Sequence, residues 1–323
     1  MKDAYLRQAR LVVRCIPSIA AESCFAIKGG TAINLFALDL PRLSVDIDLT
    51  FLPVTDRPTA VREINAALAR IAGRLEKRGV AVRERGTDVS RKLQCLADGA
   101  EIKIEPNFIL RGTVYPVRKM ELAPKMAELV GSSAEMAVLS RQELYGGKFC
   151  AALDRQHPRD LFDVAQFFAN GGSVEEVKNG FLVLALGHNR PLDELLAPNR
   201  LDQSETFAAQ FAGMSDIPFS YDEHVETFDR LVAEINATLT AEDRARLVAF
   251  TALEADADVF GIPGLAELPS IKWKRRNLEA LRAQNGRKFA ANVAALARVL
   301  GLKIQGYDPE AVATIRQIQP AFG

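Results

Sequence analysis

One segment, Ser44-Val45-Asp46-Ile47-Asp48-Leu49-Thr50-Phe51, constrains the fold more than any other. Apolar Val45, Ile47 and Leu49 alternate with polar Ser44, Asp46, Asp48 and Thr50, which is the two-residue period of a strand. Residues i and i+2 of a strand project from one face, so Asp46 and Asp48 stand side by side above a buried apolar row. Two like charges at the edge of a core repel unless a cation joins them. A divalent ion such as Mg2+ takes hard oxygen ligands and is commonly held by one or two carboxylates plus substrate phosphates. Taken alone, Asp-x-Asp is equally the solvated face of an ordinary strand.

Its surroundings shift that balance. Upstream, Cys24 to Ile27 is a short apolar run closed by Lys28-Gly29-Gly30, and Thr31 to Leu38 has the pattern of a helix. A glycine pair between strand and helix offers backbone N–H groups to a phosphate. In this order, a glycine turn and two aspartates are parts of a metal-assisted phosphoryl or nucleotidyl transfer site. Downstream, Glu101-Ile102-Lys103-Ile104-Glu105 alternates in the same way. Either glutamate could bring a third carboxylate from a neighbouring strand, with Glu105 preferred near the strand end; an edge strand of mixed charge is the alternative. A third constellation runs from Lys148 to Asp163. Lys148 and Arg155 share a helical face two turns apart, and Arg159 and Asp163 are spaced to pair on the next helix. Cations there would neutralise a triphosphate, although the stretch alone reads as a charged helical hairpin.

The rest of the chain frames these motifs. Its 323 residues suggest about two domains. Further strands are expected at 79–85, 92–97, 100–107 and 113–117. Helices are expected at 4–21, 61–77, 141–155, 158–169, 174–186, 222–237, 241–254 and 287–300, and 189–202 reads as loop. Ser140 with Glu143 has the form of a capping box. The expected division is an α/β domain over 1–121 and a mainly helical domain over 122–323. Lys plus Arg and Asp plus Glu are both 41, which excludes a strongly basic nucleic-acid binder but not a local basic groove. Cys15, Cys24, Cys95 and Cys150 lack metal-ligand spacing and read as buried thiols. No signal peptide is read, and no apolar run approaches the ~18 residues of a membrane span; a cytoplasmic location is expected.

Together, Lys28-Gly29-Gly30-Thr31-Ala32, Arg42-x-Ser44-x-Asp46-Ile47-Asp48-Leu49, Lys103-Ile104-Glu105 and the Lys148–Asp163 stretch resemble the AbiEii/AbiGii-type nucleotidyltransferase toxins. That group includes the mycobacterial MenT toxins and belongs to the DNA polymerase β-like superfamily. The resemblance implies a mixed sheet with flanking helices followed by a mainly helical domain. It implies that Asp46 and Asp48 bind Mg2+ or Mn2+, with Glu105 as third carboxylate and helper to the acceptor hydroxyl. Lys28, Gly29, Gly30 and Thr31 or Ser44 would hold the phosphates of an NTP, and Lys148 would contact its triphosphate. Asp160 and Asp163 would be further essential acids, with Arg155 and Arg159 in phosphate-binding or structural roles. The implied activity is NMP transfer to an acceptor hydroxyl, in some members the tRNA 3′ end, within a toxin–antitoxin or phage-defence system with a cognate antitoxin.

Two rivals stand beside this reading: a small-molecule acceptor such as an antibiotic, and a non-catalytic relative that binds RNA or a partner protein. His157, before Pro158, reads as a helix-break residue rather than a catalyst. Lys272-Trp273-Lys274-Arg275-Arg276 is the densest basic run, open to RNA binding or to simple packing of Trp273.

Overall fold

The computed structural model describes residues 3–305 and 317–318. The chain opens with α1 (Asp3–Ala20) and β1 (Phe25–Lys28), then α2 (Gly29–Ala32), which continues as a π-helical turn, Ile33–Ala37. Next come β2 (Asp46–Phe51), α3 (Arg57–Lys77), β3 (Ala81–Arg85), β4 (Lys92–Ala97), β5 (Ala100–Asn107), β6 (Arg118–Glu121), α4 (Pro124–Val130) and β7 (Glu135–Val138). The helical half holds α5 (Arg141–Arg155), α6 (Pro158–Ala169), α7 (Val174–Leu186), α8 (Leu192–Leu196) and α9 (Ser204–Gln210). It continues through α10 (Tyr221–Thr238), α11 (Ala241–Thr251), α12 (Pro269–Gln284) and α13 (Gly286–Val299).

The seven strands form one mixed sheet in the order β3-β4-β5-β2-β1-β7-β6. β2 runs parallel to β5 and antiparallel to β1, which in turn runs parallel to β7. The alternation read in β2 fixes which face is which. Ile47 and Leu49 are fully buried, and Ile47 lies beside Ile104 of β5, next along from the Leu93 and Cys95 positions of β4. α1 and α3 cover this apolar face with Val12, Cys15 and Ile16 and with Ile64, Leu68, Ile71 and Leu75. The opposite face carries Asp46, Asp48, Lys103 and Glu105.

Three expectations change, the first being that 189–202, expected as loop, holds α8. Thr113–Val117 forms no strand: the Thr113 hydroxyl donates to Glu143, and the Val114 N–H donates to Glu143 Oε1 at 3.1 Å, so a helix side chain takes the loop's donors. The same contacts leave the capping box half made, since Ser140 Oγ accepts from Glu143 N–H at 3.2 Å while the Glu143 carboxylate faces the 113–115 loop. The sheet also runs past residue 121, because β7 pairs with β1 through Ile27 and Val138 and leads directly into α5. The helical half therefore begins with α5, at the end of a central strand. Among the described residues no helix is long and apolar enough to cross a membrane.

Candidate active site

Strand register brings the first constellation together. Lys28 lies opposite Asp48 in the β1–β2 pair, and Asp48 lies beside Glu105 in the β2–β5 pair. Asp46 lies beside Lys103. Neither Asp46 nor Asp48 makes a side-chain hydrogen bond or ion pair among the described residues. Burial pushes the Asp46 carboxyl up, and the charges of Asp48 and Glu105 add to this while Lys103 and Arg159 oppose it. Two unpartnered carboxylates on one strand face fit a hard cation whose remaining ligands come from substrate. Glu105 is not gathered with them: its Oε1 accepts from Lys92 Nζ at 2.9 Å. No group of three His, Cys, Asp or Glu side chains able to hold a metal occurs among the described residues.

The glycine turn is shaped to the aspartates. Gly29 has φ of +68°, a region open mainly to glycine. A Cβ there would stand 2.6 Å from Asp48 Oδ2, so a side chain would displace the carboxylate. A Cβ at Gly30 would stand 2.5 Å from Arg42 Nη2. Thr31 and Ser44 are buried against each other, their hydroxyls 2.8 Å apart, and the Thr31 hydroxyl also donates to the Asp46 carbonyl. They brace β2 against α2 and line neither cleft described below.

Behind the turn lies a buried charge network. Arg42 donates to Asp163 through Nε (2.7 Å) and Nη2 (2.6 Å). Asn34 Nδ2, displaced from regular helix geometry by the π-helical turn, donates to Asp163 Oδ1 at 2.9 Å and to the Gly30 carbonyl. Lys148 Nζ reaches Asp160 and Asp163, both at 2.8 Å, and Arg155 Nε reaches Asp160 at 2.6 Å. Burial alone would push both carboxyls up; the surrounding cations outweigh it and hold both well below the usual range. Asp160 and Asp163 thus act as positioning residues for Arg42, Lys148 and Arg155. The Arg159–Asp163 pair expected from helical spacing does not form, because Arg42 and Lys148 occupy Asp163. Arg159 instead bears on Asp46.

Lys28 is the contrasting cation. It is half-buried, makes no hydrogen bond or ion pair among the described residues, and is pushed down by burial and by Arg155 and Lys148, against the pull of Asp48. It and Asp48 stand where two clefts meet. One, of ≈ 340 Å3, is bordered by Gly29, Gly30, Lys148, Arg155 and Asp160. The other, of ≈ 300 Å3, is bordered by Lys92, Glu105, Asn107 and Phe108.

A family profile described as the AbiEii nucleotidyl transferase toxin of a type IV toxin–antitoxin system matches residues 10–263. The chain belongs to the AbiEii family. AbiEii membership takes in both the sheet and the first seven helices of the helical half, so the site and its cradle lie inside one family unit. A similar solved structure is MenT4, a nucleotidyltransferase toxin from Mycobacterium tuberculosis H37Rv. It has 14% identity and a TM-score of 0.53, with 86% of this chain and 93% of that one covered; at that identity the likeness is one of fold. No curated protein matches.

The remaining motifs of this AbiEii chain make contacts of their own. His157 caps α6, its Nδ1 accepting from Arg159 N–H at 3.2 Å, while Nε2 meets Gln210 Oε1 at 3.1 Å. In the basic run, Lys272 pairs with Glu267 and Arg275 with Asp256, and Lys274 donates to the carbonyls of His188 and Arg190 in the loop between α7 and α8. Trp273 remains 43% exposed. Sequence reasoning missed Asn34 and Arg111. Arg42 stood in the motif, but nothing in its spacing linked it to Asp163.

Proposed function

We propose that the protein is a metal-dependent nucleotidyltransferase of the EC 2.7.7 type, moving NMP from an NTP to an acceptor hydroxyl, with the tRNA 3′ end as acceptor. The carrying observation is that, among the described residues, Asp48 and Lys28 have no ion-pair partner where two clefts meet, with Asp46 equally unpartnered on the same strand face, whereas the other acids lining the first cleft are satisfied by partners. Mg2+ or Mn2+ on Asp46 and Asp48 would stabilise charge developing on the α-phosphate. Lys28, Lys148 and Arg155 hold positive charge along the triphosphate, and the Gly29–Gly30 backbone can approach it closely. The acceptor oxygen bonds to the α-phosphorus, pyrophosphate leaves, and Glu105, which borders the second cleft, would take the hydroxyl proton.

An extended polyanion as acceptor is supported by the open sheet face. Register puts Lys103, Gln94 and Arg83 in one row, and Glu105, Lys92 and Arg85 in the next, leading from the aspartates to the sheet edge. Arg83 and Lys103 are exposed and lack ion-pair partners among the described residues. The type IV toxin–antitoxin description supports a cognate antitoxin as partner.

The test incubates the protein with Mg2+, total tRNA and each labelled NTP, beside Asp48→Asn and an EDTA control. Label on tRNA only with intact protein and metal is the expected result. Label that survives Asp48→Asn overturns the site, and label found only on an aminoglycoside supplied instead of tRNA moves the acceptor to a small molecule.

A further inference from the structure

Trp273 is the chain's one tryptophan, and α12 leaves it 43% exposed. Tryptophan is highly buried on average, and an exposed indole is a mark of binding surfaces. Arg57 opens α3 after the loop that leaves β2, and its Cζ stands 5.9 Å from the centroid of the ring. Neither Arg57 nor Arg276, one turn further along α12, has an ion-pair partner among the described residues. Trp273 also borders a cavity of ≈ 150 Å3 between α12, α13 and the loop joining α7 to α8. Leu278, Leu281 and Leu296 line it with apolar surface. Asn189, Asn277 and Asn292 border it too, and their side chains make no hydrogen bond among the described residues. Lys274 fixes the wall, held by the carbonyls of His188 and Arg190.

This cavity is separate from the nucleotide cleft but backs on it. His188 and Ser270 border the cleft, while Asn189 and Trp273, the next residue of the loop and the next turn of the helix, border the cavity. The seam is tight, since a Cβ on Gly187 would stand 2.7 Å from Ser270 Oγ. The start of α12 also meets the 107–112 loop, which borders both clefts: a Cβ on Gly112 would stand 3.0 Å from Leu268 Cδ2. The contents match one ligand class. An indole and apolar walls hold a flat ring, and amides offer donors and acceptors together. The two unpaired guanidinium groups suit phosphates. A cavity of about 150 Å3 takes a benzene ring, which is the size of a pyrimidine and short of the fused rings of a purine. A free nucleotide carries the same base, but two separate cations favour a strand with a phosphate on either side of it. We propose that Trp273 and its cavity hold an unpaired pyrimidine of single-stranded RNA, stacked on the indole, with Arg57 and Arg276 on the flanking phosphates. This extends the RNA-acceptor reading above.

The test follows the fluorescence of Trp273 in the full-length protein, which no other indole obscures. Oligo(C), oligo(U) and oligo(A) RNA, an oligo(A)–oligo(U) duplex and CMP are titrated without NTP or metal. Oligo(C) or oligo(U) should quench the emission at about 10-fold lower concentration than oligo(A), CMP or the duplex. Trp273→Ala, read by anisotropy of dye-labelled oligo(C), should weaken binding about 10-fold, with thermal melting to confirm folding. Arg57→Met should weaken it as well, and carries the test if the alanine variant does not fold. Equal quenching by oligo(A) or by the duplex overturns the fit to an unpaired pyrimidine, and equal quenching by CMP moves the site to a free nucleotide. Binding that survives both variants overturns the proposal, as does silence with every RNA, which would leave the indole to a protein partner. Transfer to tRNA without any quenching keeps the nucleotidyltransferase reading and sinks this one; quenching without transfer does the reverse.

Discussion

Lys148 shows what a charge does when it is both buried and shared. Burial alone would push its ammonium down, but Asp160 and Asp163 more than reverse this and hold it protonated. Lys148→Met removes the cation that joins them and leaves Asp163 to Arg42 and Asp160 to Arg155. Breaking a buried pair in this way costs about 3–5 kcal/mol, to be read from urea unfolding midpoints. The two aspartates also set the acid limit. Their folded pKa values are depressed, so their contribution to stability is complete above the unfolded value near ~4 and is lost as pH falls below it. Unfolding midpoints should hold between about pH 7 and 5 and fall steeply below about pH 4. At Gly29 the effect is on activity instead. Gly29→Ala drives a methyl against the Asp48 carboxylate in a strained backbone region. It should lower kcat about 100-fold while costing only ~1–2 kcal/mol of stability.

At the scale of elements, α5 and α7 cross almost backbone to backbone. A Cβ on Gly180 would stand 2.0 Å from the Gln142 carbonyl, and one on Gly146 2.4 Å from Gly180 itself. Gly180→Ala must lift α7 off α5, at about 1–3 kcal/mol, and should lower the melting temperature by several degrees. Because α5 carries Lys148, nucleotide affinity should weaken with it, as calorimetry would show. The helices around this crossing were plain in the sequence, where apolar periodicity, the Ser140 cap and the His157-Pro158 break all mark their limits. So was β2, whose alternation records one buried and one polar face. β7 was not legible: its alternation, with Met136 and Val138 buried, spans only four residues, too few to tell from a loop. α8, five residues long, hid in the same way. The site split along similar lines. Asp46, Asp48 and the glycine turn are local patterns, but the role of Asp163 depends on Arg42 and Asn34, more than 120 positions away.

Across the whole molecule, a net charge of zero conceals an uneven distribution. The row from Lys103 to Arg83 leaves cations exposed on the site face of the sheet, while Lys148 and Arg155 of α5 are spent on aspartates. Arg83→Glu with Lys103→Glu should therefore raise KM for tRNA and flatten its salt dependence, since each lost phosphate contact lowers the slope by about 0.7–0.9. NTP affinity should not change in Arg83→Glu alone, whereas Lys103→Glu also acts on the neighbouring Asp46. The network around Asp163 has a temporal consequence as well. Asp46, Asp48 and the glycine turn leave the ribosome early, but Arg42 and Asn34 find their acid only when α6 has been made, and β1 gains its second neighbour only with β7. Until then the nascent polypeptide holds an unanchored turn and an unshielded Arg42. A site assembled this way is completed only when about half of the chain has been synthesised.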